Sequence, residues 1–175
     1  MVFSNLVFLF IFLPIVLAVY YISPRSLKNL ILLFASLIFY AWGEPTYVFL
    51  MLLSIVINYV FGLMVADKRK SPKSKKIILI VSIIANLLIL GYFKYVNFFI
   101  DLINDLFSIE IIYQDLPLPI GISFFTFQAM SYVIDVYKKE VKSEKNPFFV
   151  LLYVSMFPQL VAGPIVRYRT VADEI

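Results

Sequence analysis

The 175-residue sequence contains no cysteine and no histidine. Without cysteine there is no disulfide framework, thiolate metal site or cysteine nucleophile. Without histidine the chain lacks imidazole metal ligands and the commonest general base. No metal site is therefore assigned within it. Charge is also scarce, at 15% of residues with a net +4. The basic residues lie between hydrophobic runs, so they read as topology signals, and no nucleic-acid partner is expected. Repeats, low-complexity tracts and linkers are missing as well. Residues 1–175 read as one membrane domain.

Apolar residues are what the chain has in abundance: 62% hydrophobic, 18% aromatic, mean hydropathy +0.94. A soluble domain of this size has no use for so much apolar surface. Four runs, residues 2–22, 27–42, 46–66 and 77–93, approach the ~20 apolar residues that a hydrocarbon core of about 30 Å requires. Tyr40 and Trp42 extend the short second run into the interface. The first run lacks a basic n-region and a small-residue cleavage site, so it reads as a retained span. Pro14 inside it predicts a kink that neighbouring helices can accommodate.

Loop charges set the orientation. Arg25 and Lys28 lie at the junction of the first two runs, and residues 67–76 carry six basic residues against one acidic. The positive-inside rule makes loops 23–28 and 67–76 cytoplasmic and places the N-terminus and the Gly43-Glu44-Pro45 turn outside. The basic loop reads first as a topology anchor, with an anionic-lipid site as the sharper alternative. Residues 95–107 set Phe98, Phe99, Leu102, Ile103 and Leu106 against Asn97, Asp101, Asn104 and Asp105. That spacing predicts an amphipathic helix on the outer surface or packed over the bundle. The β-branched Ile109, Ile111 and Ile112 suggest a short extended piece in the connector that follows. The expected fold is an all-α, multi-pass membrane bundle with amphipathic and broken or re-entrant helices.

Two further hydrophobic segments, residues 119–137 and 147–163, bring the count to about six. In the first, Gly121, Gln128, Ser131, Tyr132 and Asp135 share one helical stripe. Polar groups on a membrane helix avoid lipid, so the stripe should face the bundle interior or a water-filled cavity. Interhelical bonding that merely fastens helices explains Gln128 and Ser131 equally well. Asp135 has Lys138 and Lys139 at i+3 and i+4, so an ordinary ion pair competes with a functional carboxylate. In the second segment, Pro158 interrupts the helix and Gly163-Pro164 ends it. A plain span would carry Arg167 and Arg169 outside, against the charge rule. Either a re-entrant segment or a buried, paired Arg resolves the conflict.

The strings Pro119-Ile120-Gly121-Ile122-Ser123-Phe124-Phe125-Thr126-Phe127-Gln128, Asp135-Val136-Tyr137 and Phe157-Pro158-Gln159-Leu160-Val161-Ala162-Gly163-Pro164-Ile165-Val166-Arg167-Tyr168 carry a family resemblance. So do Phe39-Tyr40-Ala41-Trp42-Gly43-Glu44-Pro45, Asn58-Tyr59 and Phe93-Lys94-Tyr95. Together they resemble the membrane-bound O-acyltransferase family, in the branch that includes the alginate O-acetylation membrane protein. Relatives in this family are more than twice as long, with a catalytic His in the later half, so the chain looks like the N-terminal part of such an enzyme and the resemblance places no catalytic residue on it. The resemblance implies transfer of an acyl group, acetyl by expectation, across the membrane to a hydroxyl of an extracellular polysaccharide or envelope polymer. It implies no bound cofactor, an acyl-CoA or acyl-carrier thioester as co-substrate, and envelope or export partner proteins. The localisation expected is the inner membrane. Candidates for lining the acyl path are Gln128, Ser131, Tyr132, Gln159 and Arg167, with Gly121, Pro158, Gly163 and Pro164 as structural motif. A non-catalytic membrane scaffold, or a small transporter subunit, is the competing reading.

Overall fold

The computed structural model of the chain describes residues 6–107, 111, 117–162 and 166–172. Among these residues the regular elements are all helical. They are α1 (Phe8–Ile22), α2 (Arg25–Gly43), α3 (Val48–Ala66), α4 (Pro72–Phe107), α5 (Ile122–Tyr137), α6 (Pro147–Ser155), α7 (Phe157–Ala162) and the single turn α8 (Tyr168–Val171). The helices α2, α3 and α4 are long and apolar enough to cross a membrane, and α1 is a shorter apolar helix. The extended piece expected at residues 109–112 lies outside the described residues except for Ile111, and so do Gly163 and Pro164.

Local chemistry accounts for the helix boundaries. Pro14 offers no N–H to the carbonyl four residues back, and the turn before it, Phe8–Phe12, opens into a π-helix. Ser71 caps α4 by accepting the Ser74 N–H at 3.2 Å, with Pro72 in the first helical position. Asn146 does the same for α6, accepting the Phe148 N–H at 3.1 Å ahead of Pro147. Gly121 starts α5 at φ 78°, a left-handed conformation that suits glycine.

The fourth run and the amphipathic segment after it prove to be one helix. α4 runs unbroken for 36 residues, about 54 Å at 1.5 Å per residue. Neither proline nor a capping residue separates Phe93 from Asn97, so nothing stops the helix where hydropathy falls. A separate surface helix at 95–107 is thus corrected to an extension of α4.

The burial pattern is the reverse of a soluble protein's. Large apolar side chains such as Phe10, Phe49 and Leu88 are exposed on the outside, while Ser36, Ser54, Asn58, Ser82, Asn86, Gln128 and Asp135 are buried. The fold is an all-α membrane bundle. In lipid the outward apolar faces need no covering, and inward polar groups must find partners.

α5 occupies the centre, packed on α3 and α4 and flanked by α6, α7 and α8. α3 and α4 are clasped by Asn58 and Asn86, whose amides exchange two hydrogen bonds of 2.8 Å. Each also donates to the carbonyl four residues back, Ser54 at 2.9 Å and Ser82 at 2.8 Å. A double-mutant cycle of Asn58→Leu and Asn86→Leu, followed by unfolding in detergent, should show a coupling of about 0.6–1.7 kcal/mol. Zero coupling would mean that the clasp contributes no pairwise stabilisation.

The helix directions sort the charges. At one end Tyr59 donates to the Lys145 carbonyl at 2.7 Å, and Lys68 and Lys75 share a groove with Lys139 and Lys142. At the other end Tyr40 donates to the Ile120 carbonyl at 3.1 Å and Tyr47 to that of Pro117 at 2.9 Å. The 67–76 loop and the 138–145 connector thus lie at one end of the bundle, and the Glu44 turn lies at the other.

Candidate site at the broken helix

The site is built around the interruption between α6 and α7. Pro158 has no N–H for the Val154 carbonyl, and Met156 turns out of the helix at ψ 113°. The break leaves two further groups without helical partners: the Tyr153 carbonyl and the Phe157 N–H, which would otherwise pair with each other. Gln128 donates to the Tyr153 carbonyl at 2.8 Å. Ser36, halfway along α2, accepts the Phe157 N–H at 3.2 Å. The ring of Phe157 packs among Phe8, Phe12 and Phe39. A turning point that touches the middle of α2 lies deep in the membrane. Unsatisfied backbone there would cost several kcal/mol per group.

After α7 the chain returns to the end it came from. Tyr168 donates to the Glu144 carboxylate at 3.3 Å, and the Arg169 guanidinium pairs with Glu140 at 3.1 Å. Glu140 and Glu144 precede the start of α6 at Pro147, so α6 begins and Tyr168 arrives at the same end of the bundle, the two limbs of a re-entrant hairpin. Of the two resolutions open from the sequence, re-entry is the one adopted, and Arg169 is half exposed.

Asp135 requires a correction. It is 2% exposed and accepts the Arg169 backbone N–H at 3.4 Å. Among the described residues it makes no ion pair with Lys138 or Lys139. The reason is positional: Lys138 and Lys139 lie in the turn beyond α5, and Lys139 takes φ 61°. The i+3, i+4 geometry needs a continuous helix.

The structure joins Gln128, Ser131 and Gln159 through hydrogen bonds and sets Arg167 beside Ser131, while Tyr132 faces Glu144 and Tyr168. The second amide contact of Gln128 goes to the Gln159 side-chain oxygen at 2.7 Å. Ser131 lies 2.8 Å from the Gln128 carbonyl and 2.9 Å from the Tyr153 hydroxyl. Tyr153 in turn donates to the Val166 carbonyl at 2.6 Å. With the Tyr153 proton so committed, Ser131 must supply the proton between the two hydroxyls and share it with the Gln128 carbonyl. Tyr132 accepts the Glu144 N–H at 3.0 Å, and its ring stands edge-on to Tyr168 at 5.0 Å. Tyr153 meets the same ring at 5.0 Å. Burial, and then Glu144, push the Tyr168 phenol up, which keeps it a proton donor to that carboxylate.

The five differ in access. Gln128 and Tyr132 are buried, and Gln159 is half-buried. Ser131 and Arg167 line a cleft of about 240 Å³ with Phe127, Met130, Ile134 and Asp135, and Arg167 is exposed at its rim. Gly121 lets α7 come close: a Cβ there would sit 3.0 Å from the Leu160 carbonyl oxygen. Among the described residues no three His, Cys, Asp or Glu side chains cluster so as to hold a metal.

Sequence reasoning missed Tyr153, Ser36, Glu144 and Gly62, whose space is filled by the Tyr132 ring. For Ser36 and Tyr153 a signal existed, since each is an isolated polar group in an apolar run.

A central polar stripe held against a proline-broken helix pair, inside a bundle with apolar outer faces, defines the class: an all-α, membrane-embedded helical bundle. Over 99% of its length the chain is 40% identical to a protein described as a probable alginate O-acetylase of Azotobacter vinelandii, and 43% identical to one of Pseudomonas syringae pv. tomato. Over 96% of its length it is 36% identical to a peptidoglycan O-acetyltransferase of Helicobacter pylori. The chain is homologous to these proteins along nearly its whole length. It spans about a third of the length of these relatives: 36%, 34% and 37% respectively. No family model matches it, and no solved structure does.

Proposed function

We propose that these 175 residues form the part of a membrane O-acetyltransferase that carries the re-entrant hairpin and one wall of the acyl path. The observation that carries this reading is the hairpin itself, turned at mid-depth on Ser36 and fastened by Gln128. Such a hairpin thins the barrier between a cytoplasmic donor and an outer acceptor. The basic end of the bundle faces the cytoplasm in the inner membrane, and the donor is an acyl-CoA or acyl-carrier thioester. The acceptor is a hydroxyl of an extracellular polysaccharide or cell-envelope polymer, reached with the help of export partners. In the reaction the acceptor oxygen attacks the thioester carbonyl, a thiolate leaves, and a general base takes the hydroxyl proton. The chain holds no histidine, so an imidazole base would have to come from residues other than these.

The same fact gives the scaffold reading its support. One comparison separates the two: acetyl esters on the envelope polymer, counted in cells carrying the whole gene and in cells carrying residues 1–175 alone. Esters formed only with the whole gene support the proposal. No esters in either case favour the scaffold.

Within the proposal, Arg167 and Ser131 present polar groups to passing substrate at the cleft. Arg167→Met in the whole enzyme should lower kcat/KM about tenfold or more while leaving membrane yield and melting temperature unchanged, because the side chain is exposed. Full activity in this variant would remove Arg167 from the path.

A further inference from the structure

We propose that the groove between the α3–α4 loop and the α5–α6 connector binds the phosphate of an anionic phospholipid headgroup. The groove encloses about 720 Å³ and is lined by Lys68 and Lys75 on one side and by Lys139 and Lys142 on the other, over apolar surface that includes Val136 and Tyr137. It shares no lining residue with the Ser131–Arg167 cleft. Its one acidic side chain, Glu140, is committed to Arg169 at 3.1 Å. Among the described residues none of the four lysines has a carboxylate at ion-pair distance.

Four lysines lining one groove, with no carboxylate among the described residues at ion-pair distance from any of them, repel one another. A phosphate between the loops removes that repulsion and gains charge-assisted hydrogen bonds. Lys139 adds an independent indication. Its φ of 61° is a left-handed conformation in which glycine would be comfortable and lysine is strained. A charge is thus held over the groove at a position whose backbone favours having no side chain.

Position in the membrane selects a lipid over a soluble phosphate. The groove opens at the ends of α3 and α5, level with the basic loop, where headgroups lie. Its apolar floor can take the glycerol and upper acyl carbons of a lipid. Inorganic phosphate would leave that floor wet.

The test is native mass spectrometry of the protein in neutral detergent, titrated with phosphatidylglycerol or phosphatidylcholine. Phosphatidylglycerol adducts should persist at concentrations where phosphatidylcholine leaves none. Lys75→Gln/Lys139→Gly/Lys142→Gln should weaken phosphatidylglycerol binding at least about tenfold, from roughly a fivefold loss per lysine near a charged surface. Five basic residues of the 67–76 loop remain in that variant to hold topology. Lys139→Gly alone relieves the backbone, so it should fold at least as well as the parent and still bind about fivefold more weakly. Equal retention of the two lipids, or unchanged binding in both variants, would overturn the site. Displacement of phosphatidylglycerol by inorganic phosphate or coenzyme A would overturn the lipid and assign the groove to a soluble phosphate.

Discussion

Gln128→Leu should destabilise the bundle by about 2–4 kcal/mol, read as a fall in melting temperature in detergent. The side chain is 2% exposed, and both of its amide contacts are to acceptors: the Tyr153 carbonyl and the Gln159 side-chain oxygen. Leucine fills the volume but leaves both oxygens without that donor. Each buried orphan costs about 1–3 kcal/mol, and the carbonyl cannot recover a helical partner because Phe157 donates to Ser36 instead. Gln128→Glu sharpens the test. A carboxylate offers no donor and sets oxygen against two oxygens, so it should be at least as damaging as leucine despite its shape and polarity. If Gln128 served only as a polar surface for substrate, glutamate would keep stability and leucine would lose activity alone. A melting temperature unchanged in both variants would end the stapling role.

The second large effect is expected at Gly62 on α3. A Cβ built there would lie 2.5 Å from the Cε1 atom of Tyr132, inside any tolerable contact. Tyr132 is completely buried and cannot swing away: its hydroxyl holds the Glu144 N–H, and its ring abuts Tyr168. Gly62→Ala should therefore force α3 and α5 apart at a cost of about 1–3 kcal/mol, and Gly62→Leu should prevent folding. Gly91 on α4 is the internal control, because a Cβ there meets nothing within 4 Å. Gly91→Ala removes backbone entropy from the unfolded state and should be neutral or stabilising by up to about 1 kcal/mol. Similar melting temperatures for the two alanine variants would contradict the packing of Tyr132 against Gly62. The effect should also reach the hairpin, since Tyr132 and Tyr153 sandwich the Tyr168 ring that closes it.

These residues show how far the sequence could be read. The membrane class, the positions of the main helices and the inward polar stripe on α5 follow from composition and period. Bilayer thickness and the cost of bare polar groups in lipid leave few alternatives. The break at Pro158 is legible for the same reason, because proline carries no N–H wherever it stands. The end of the fourth helix is not, since hydropathy reports solvent and not helix termination, and α4 simply continues into more polar sequence. Pairing across the fold is the least legible. Asp135 stands at ion-pair spacing from two lysines, yet its carboxylate meets the backbone of Arg169, 34 residues on. Ser36 and Phe157 are 121 residues apart, and nothing local in either string announces the other.

By itself the sequence determined that this chain lies in a membrane, that its basic loops share one side, and that its last apolar segment is interrupted. Those properties depend on hydropathy, charge count and one missing N–H, which are set residue by residue. Tertiary structure alone decided that the interrupted segment turns back, that Gln128 and Ser36 take up the groups freed by the break, and that two lysine-bearing loops meet. Those outcomes depend on which side chains arrive within 3 Å of a backbone group left unpaired elsewhere in the chain, and only the packed bundle brings them there.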